Sequence, residues 1–464
     1  MTLPSKATLT RKVRSFQLGP KAAQSDAFLL KQLNLLQTFG SVEEFACDDF
    51  INEKLKSAIE FHFINIRKIF IRTLLDYDIC VGVDAMDRLI FSALRDSSGK
   101  SIISIVVSYI KDYDIHGKGM LIYPLHSLNI TSLGFATLGD MWKVNFFGPH
   151  KKFRVCAQAT NLSNLRRFLS DTKKNLGICR QLPFDLIEHF HLSRGLEWLT
   201  NNPIMVVAIS SFPGNYYENQ NFIKYKIMTP LNCLYLLSAL GGSDDDLFGS
   251  SKVNNFNTKD IFHFLTLYPD IRDKLSLTAD CVPLYASRRM LEEMTDASID
   301  IDFKEWTRRP RTSKRIGLLL QELEKNLVTK SDMNRLKIHE KVSLSLTYFR
   351  RSHRKSIDDP EKIVNLATAF EILLIDSNCS DIKGTIRKRM RKIIRGERNT
   401  IQMANEVYNL YNARNDAVHR GQHSKVDTRT CRKAYAYTVI RLLESIKQQS
   451  ISSGNMIHNL LNKI

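Results

Sequence analysis

The sequence lacks the short motifs by which most phosphate, metal and acyl-transfer sites are recognised. No Walker loop and no GxGxxG, HExxH or GxSxG pattern occurs along its 464 residues. Its eight cysteines include no CxxC pair, and their wide spacing argues against a zinc site or a disulfide framework. The sequence therefore predicts no bound metal and no cofactor, and its thiols are expected to be reduced and mostly buried.

The sequence also lacks a long apolar run. A membrane-spanning helix needs roughly 18 uninterrupted apolar residues, whereas the longest candidate, residues 102–110, is shorter and is interrupted by serines. Residues 1–6 do not contain the apolar core that signal peptides have. These absences, together with the cysteine usage, predict a cytoplasmic protein without a transmembrane segment.

Acidic residues are too few to balance the basic ones, and the formal net charge at pH 7 is +19. Hydrophobic residues make up 43% of the chain and charged residues 25%, which is ordinary for a globular protein with a buried core. A basic excess of this size favours a polyanionic partner, either nucleic acid or an anionic membrane surface. A basic isoelectric point without a specific partner is the alternative.

The order of helical and strand patterns predicts an α+β protein with three regions. Residues 1–240 mix helical spacing with short strand patterns, such as the apolar run at 203–209, and are interpreted as a sensing or regulatory region. A polar stretch from Gly241 to about residue 257 marks a boundary, and residues 241–330 are predicted to form a mainly helical connection. Residues 331–464 have helical patterns almost throughout, and their short connections predict an antiparallel helical bundle.

The C-terminal region carries most of the positive charge. Residues 331–464 contain 25 Lys and Arg against 13 Asp and Glu, so that +12 of the +19 lies there. Asp359-Pro360, Asp381 and Asp427 are predicted to begin helices, and another helix is predicted from about residue 400 to 420. The helix capped by Asp381 is the most basic, and its cations form either a solvated face or a groove for an RNA backbone. The candidate RNA-binding residues are Lys383, Arg387, Lys388, Arg391 and Arg395.

One helical segment near the C-terminus combines residues suited to RNA cleavage. Asn415 and His419 are four residues apart and share a helix face, whereas Arg414 lies about 140° round the helix from His419. An imidazole can move a proton near neutral pH, a guanidinium can hold phosphate oxygens, and a carboxamide can orient either group. This set requires no metal ion. The structural alternative is an Arg–Asp surface pair and a histidine favoured by the negative end of the helix dipole.

The segment Arg414-Asn415-Asp416-Ala417-Val418-His419 resembles the R-(polar)-x3-H signature of the HEPN superfamily of helical-bundle ribonucleases. The surrounding helices are similar to the ApeA-like HEPN branch of bacterial antiphage proteins. Three further segments carry this similarity: NLATAFEILL at 365–374, the basic IRKRM at 386–390 and YNLY at 408–411. The resemblance covers residues from about 331 to 450.

The resemblance implies a metal-independent endoribonuclease whose active site is shared by two subunits of a homodimer. In this reading Arg414 binds the scissile phosphate, His419 transfers protons and Asn415 orients them, and the products carry a 2′,3′-cyclic phosphate. The expected function is that of an antiphage or abortive-infection effector, whose N-terminal region responds to a phage-derived trigger or a regulatory partner. The alternative is a HEPN module that binds RNA or dimerises without catalysis.

Overall fold

The structure of the protein is a computed structural model. The described residues are 20–39, 42–48, 50–76, 81, 83–95, 97, 101–112, 119–126, 128–131, 143–144, 153–156, 161–178, 184–193, 196–209, 216–241, 264–267, 282–284, 298–302, 310–329, 333–354, 357–376, 380–421 and 425–448.

The first part of the chain forms a helical unit with its own hydrophobic core. Its helices are α1 Pro20–Lys31, α2 Leu33–Leu36, α3 Val42–Cys47, α4 Glu53–Asp76, α5 Val83–Arg95 and α6 Ile102–Asp112. On α4 the apolar residues Ile59, Phe63, Ile66, Phe70 and Leu74 recur at helical spacing, and all are buried. They pack with apolar side chains of the neighbouring helices in a core separate from that of the sheet.

A six-stranded sheet follows the helical unit, with strand order β3-β4-β5-β1-β6-β7. Its strands are β1 Gly119–Pro124, β3 Lys143–Val144, β4 Phe153–Cys156, β5 Ile204–Ile209, β6 Phe264–Leu267 and β7 Val282–Leu284. Every neighbouring pair in it is antiparallel. Two short segments, β2 Asn129–Thr131 and β8 Asp300–Asp302, pair in parallel outside this sheet.

Both faces of the central strands are covered, which explains why β5 is an unbroken apolar run. Met205 and Val207 face a large core that includes the long helix α10, Tyr216–Gly241. Ile204 and Val206 face a smaller core on the opposite side. That second face is covered by α7 Leu162–Asn175, α8 Asp185–Ser193 and α9 Trp198–Asn201.

Helix α10 connects the sheet to the C-terminal helices. It is buried on nearly all sides from residue 222 to 240, so it shows little of the one-sided apolar pattern by which surface helices are recognised. The hydroxyl of Tyr123 on β1 donates a hydrogen bond to the Ile227 carbonyl at 3.2 Å. On its other side, α10 packs against α11, Pro310–Thr329, through a buried ion pair between Lys226 and Glu324.

The remaining helices pack into a bundle. They are α12 Met333–Arg351, α13 Asp359–Leu374, α14 Ile382–Ile393, α15 Thr400–Arg420 and α16 Thr428–Gln448. At its centre the Tyr435 ring stacks on Phe349 with 4.3 Å between centroids and meets the edge of Phe370. This bundle shares one continuous core with α10, α11 and one face of the sheet.

The structure confirms a mixed α+β chain in which helices predominate, and it confirms the caps of two C-terminal helices. The Asp381 and Asp427 side chains accept hydrogen bonds from the backbone N–H of Gly384 and Thr430. The start of α13 is a correction, because Asp358, not Asp359, accepts the capping bond. An N-cap residue typically has an extended backbone; Asp358 is extended, whereas Asp359 already belongs to the helix.

The region from 241 to 330, predicted as a mainly helical connection, contains strands as well as helix. Strands β6, β7 and β8 lie within it, and of its described part only Gly241, which ends α10, and helix α11 are helical. The polar boundary stretch after Gly241 lies outside the described residues. Within the described part of the chain, no helix combines the length and the apolarity that a membrane crossing requires.

Candidate nucleic-acid interface

Helix α15 carries the Arg414–His419 segment and ends immediately after it. Gly421 follows with φ +65°, and its N–H donates to the Ala417 carbonyl at 3.2 Å. Glycine adopts this left-handed conformation without the steric cost that a side chain would bring. His419 and Arg420 therefore lie in the last helical turn, where the helix dipole favours positive charge.

One side of α15 is fixed against α13. The buried Tyr411 hydroxyl donates a hydrogen bond to the Ala367 carbonyl at 2.8 Å. Burial raises the pKa of Tyr411 above its ordinary value, and the nearby Glu371 carboxylate raises it further. Tyr411 is therefore a neutral structural anchor, and the half-buried Glu371 lies close enough to influence it electrostatically.

The three catalytic candidates are divided between two sides of α15. Asn415 and His419 are exposed, and their four-residue spacing places them on the same face. Arg414 is half-buried on another side, and its Nη1 donates to Asn415 Oδ1 at 3.2 Å. Among the described residues, the buried Nε of Arg414 has no hydrogen-bond partner, and no hydrogen bond joins His419 to Arg414 or Asn415. Arg414 and His419 are thus neighbours on one helix but are not assembled into one cleft within a single chain.

The basic helix α14 lies beside α15. Its residues Ile386, Met390 and Ile393 are buried, so the cations occupy the remaining surface of the helix. The cap also depends on Gly384: a Cβ there would lie 1.9 Å from Asp381 Oδ2. Because Gly384 has no Cβ, the Asp381 carboxylate can lie directly against the first turn of the helix.

Two cations of α14 contact α15. Lys383 Nζ donates to Asn412 Oδ1 at 3.2 Å and lies 4.7 Å from the centroid of the Tyr408 ring. Arg387 donates to Asn405 Oδ1 at 2.7 Å, and its guanidinium carbon lies 5.6 Å from the same ring. The first turn of α14 therefore lies beside the later residues of α15, which makes the two helices antiparallel.

An open groove of about 780 Å³ follows the cationic side of α14. Five of its lining side chains are cations: Arg387, Lys388, Arg391, Lys392 and Arg395. Among the described residues, Glu397 is the one acidic side chain that lines it, and its carboxylate pairs with Arg441. The groove therefore presents an excess of positive charge to solvent.

The groove meets one face of α15 at Arg387, which lines the groove and lies over the Tyr408 ring. Tyr408, Asn412, Asn415 and His419 lie at i, i+4, i+7 and i+11, so they fall within about 60° of one another round the helix. Lys383 and Arg387 contact the first part of this stripe. From Asn412 to His419 the helix rises about 10 Å. The cations of α14 and the polar stripe of α15 thus form one surface, here named the α14–α15 track.

The structure brings together most of the predicted RNA-binding residues. Arg387, Lys388, Arg391 and Arg395 line the groove, whereas Lys383 lies at the Tyr408–Asn412 end of the track. Sequence reasoning did not include Lys392, Tyr408 or Asn412 among the site residues. The stripe could have been found, because its heptad-like spacing continues from Asn415 and His419 back to Tyr408.

His353 is placed quite differently from His419. Its buried ring makes edge contacts with Tyr235 and Phe349, at centroid distances of 5.0 and 4.9 Å. Burial lowers the pKa of His353 well below its ordinary value, and the positive charge of Arg432 lowers it further. His353 is a neutral core residue.

Comparisons with protein-family models, with curated proteins and with solved structures find no match to this chain. Among the described residues, no group of three or more His, Cys, Asp or Glu side chains is placed to hold a metal ion.

Proposed function

We propose that the C-terminal bundle is a HEPN-type endoribonuclease that cleaves RNA by 2′-hydroxyl attack without a catalytic metal. The observation that carries this proposal is the α14–α15 track. It joins a groove lined by five cations to an exposed histidine and carboxamide. A phosphate backbone bound along α14 is directed toward His419 at the end of α15.

The groove binds RNA through its phosphates. Its cations are exposed or half-buried, so binding releases counterions from the nucleic acid and weakens as salt is added. Such contacts position the strand and do not read its bases. Tyr408 does not offer an open ring for stacking, because Lys383 and Arg387 already lie over it.

In the proposed reaction, the 2′-oxygen attacks the adjacent phosphorus and the bond from phosphorus to the 5′-oxygen breaks. One imidazole accepts the proton of the 2′-hydroxyl, and a second imidazole donates a proton to the departing 5′-oxygen. A homodimer supplies the two imidazoles as one His419 from each subunit. Arg414 offsets the charge on the phosphate, and its hydrogen bond to Asn415 holds the two side chains together.

An exposed apolar residue beside the motif supports the dimer. Val418 has 51% of its surface exposed, immediately before His419. A partner subunit that covers Val418 brings a second α15 close to the first. Arg414 and His419 are apart within one chain, but in such a dimer the arginine of one subunit can lie next to the histidine of the other.

We further propose that the rest of the chain lowers the basal activity of this nuclease, and that a phage-derived trigger or a regulatory partner releases this restraint. Helix α11 packs on α10 next to the sheet and also touches the last helix of the bundle. Arg315 pairs with Glu444, and Lys447 Nζ lies 3.2 Å from Glu322 Oε2. A movement of α11 is therefore transmitted to α16, which packs on α15.

The second candidate function is an RNA-binding or dimerisation module without catalysis. It is favoured by the placement of Arg414, which is half-buried on a different side of α15 from His419. In this reading the cationic groove still binds RNA, and His419 has only a structural role at the C-terminal end of α15.

Cleavage of total RNA in EDTA distinguishes the two functions. The wild-type chain, His419→Ala and Arg414→Ala are compared, with His189→Ala as the control because His189 is an exposed histidine on α8. The nuclease proposal expects cleavage by the wild type and the control and a loss of at least about a hundredfold in the other two variants. Cleavage that survives His419→Ala contradicts the site, and RNA binding without cleavage by the wild type supports the second function.

A further inference from the structure

A cavity of about 210 Å³ lies in the N-terminal helical unit, away from the bundle. It is larger than an apolar cavity of about 150 Å³ that holds benzene. It is also smaller than the sites of about 300 to 1,000 Å³ that take drug-sized ligands. Its volume therefore suits a molecule with one or two rings.

The lining of the cavity is mainly aromatic and aliphatic. Phe45, Phe63 and Phe91 line it, and each is at least nine-tenths buried. Leu36 and Ile59 add aliphatic surface. Aromatic rings in such an enclosure favour an aromatic guest in edge-to-face or offset contact.

Helix geometry explains why these residues converge. On α4 the lining positions include 59, 63 and 67, which follow one face at four-residue steps. On α5, Asp87 and Phe91 are likewise four residues apart. Single residues from α2 and α3 complete the wall, so the cavity is formed by four helices rather than by one loop.

Three charged side chains also line the cavity, and their balance is negative. Arg67 Nη1 donates to Asp87 Oδ2 at 2.7 Å, so these two charges offset each other. Glu60 is exposed, and the structure gives it no ion pair with any described residue. An unneutralised carboxylate therefore stands beside an aromatic cavity.

We propose that this cavity binds a compact aromatic molecule carrying a protonated amine. The ring occupies the space between the three phenylalanines, and the ammonium group faces Glu60. The faces of the phenylalanine rings attract the same positive charge. An anion of equal size meets the carboxylate of Glu60 and is disfavoured. This site is independent of the proposed ribonuclease function.

A matched ligand series tests the proposal on the full-length chain. Tryptamine, indole and indole-3-propionate share one ring system and carry a positive, a neutral and a negative side chain. Isothermal titration calorimetry and ligand-observed NMR measure the dissociation constant of each. The proposal expects tryptamine to bind about two- to fivefold more tightly than indole, and indole-3-propionate to bind more weakly than both.

Three variants test whether the ligands bind in this cavity. Glu60→Gln is expected to weaken tryptamine to the level of indole and to leave indole unchanged. Glu53→Gln, which lies on the same helix outside the cavity lining, is expected to change neither. Ile64→Trp, at a lining position that is only half-buried, is expected to fill the cavity and weaken both ligands at least about tenfold.

Circular dichroism and thermal melting show whether each variant is folded. If Ile64→Trp does not fold, the comparison of Glu60→Gln with Glu53→Gln decides the question. The proposal is overturned if tryptamine shows no saturable binding at millimolar concentration, if indole-3-propionate binds as tightly as tryptamine, or if Glu60→Gln leaves the preference for the amine unchanged.

Discussion

The salt dependence of RNA binding gives a quantitative test of the groove along α14. Five cations line it. If each neutralises one phosphate of a single strand, the logarithm of the affinity falls with the logarithm of the salt concentration with a slope of about −3.5. The affinity is then expected to fall about a hundredfold between 50 and 200 mM salt.

Replacing one groove cation should lower this slope by a defined amount. Arg391 is exposed, so Arg391→Gln should change the free energy of unfolding by less than about 0.5 kcal/mol. We expect the slope to become about −2.8 and the loss of affinity over the same salt range to become about fiftyfold. Fluorescence anisotropy with a labelled single-stranded RNA measures both quantities.

The matched control is Lys433→Gln on α16. Lys433 is also exposed, lies in the same bundle and does not line the groove. This variant makes the same change in net charge, so it separates a local contact from the general attraction between a basic protein and RNA. If the slope changes equally in both variants, RNA does not bind in the groove. A wild-type slope smaller in magnitude than one would contradict the proposal as well.

Three further predictions concern a buried ion pair, a buried hydrogen bond and the proposed dimer contact. Lys226→Met alone should destabilise the chain by about 3 to 5 kcal/mol because it leaves Glu324 buried without its ion pair. The double variant Lys226→Met with Glu324→Leu should recover most of this loss. Urea unfolding measures both free energies, and equal losses would contradict the reasoning. Tyr411→Phe should cost about 0.5 to 1.5 kcal/mol, because the hydrogen bond from its hydroxyl to the Ala367 carbonyl is lost, and an unchanged melting temperature would contradict it. Val418→Asp should dissociate the proposed dimer in sedimentation experiments while Leu344→Asp, another exposed apolar position, should not; a dimer that survives Val418→Asp argues against a contact there.

The C-terminal helices could be predicted from the sequence because their signals are local. Helix α14 begins at a capping aspartate and carries buried apolar residues at helical spacing. Helix α15 runs over residues 400–420 as expected, since its pattern is uninterrupted and glycine closes it. The cap of α13 was assigned one residue too late because Asp358 and Asp359 are adjacent, and only the backbone conformation distinguishes them.

The middle of the chain could be predicted less accurately than the C-terminal helices, because its structure depends on contacts between residues distant in sequence. Strands β6 and β7 have four and three residues, and they exist as partners of β1 and of each other. Segments this short are as compatible with a helix as with a strand. Helix α10 was missed for a related reason: a helix buried on all sides has no polar face to reveal its period.

The candidate site could be predicted in its residue types but not in its arrangement. Charge composition indicated the cations of α14, whereas their contact with Tyr408 and Asn412 depends on how two helices pack. The helical period already placed Arg414 away from His419. The structure adds that Arg414 is half-buried and bonded to Asn415. The proposed homodimer accounts for this separation by placing the arginine of one subunit next to the histidine of the other.

The chemical nature of the cleaved ends tests the central claim most directly. Purified wild-type chain is incubated with a defined single-stranded RNA in EDTA, and the products are identified by mass spectrometry. Attack by the 2′-hydroxyl predicts a 2′,3′-cyclic phosphate on one fragment and a free 5′-hydroxyl on the other, both absent with His419→Ala. Products with a 3′-hydroxyl and a 5′-phosphate, or unchanged cyclic-phosphate products from His419→Ala, would contradict the account.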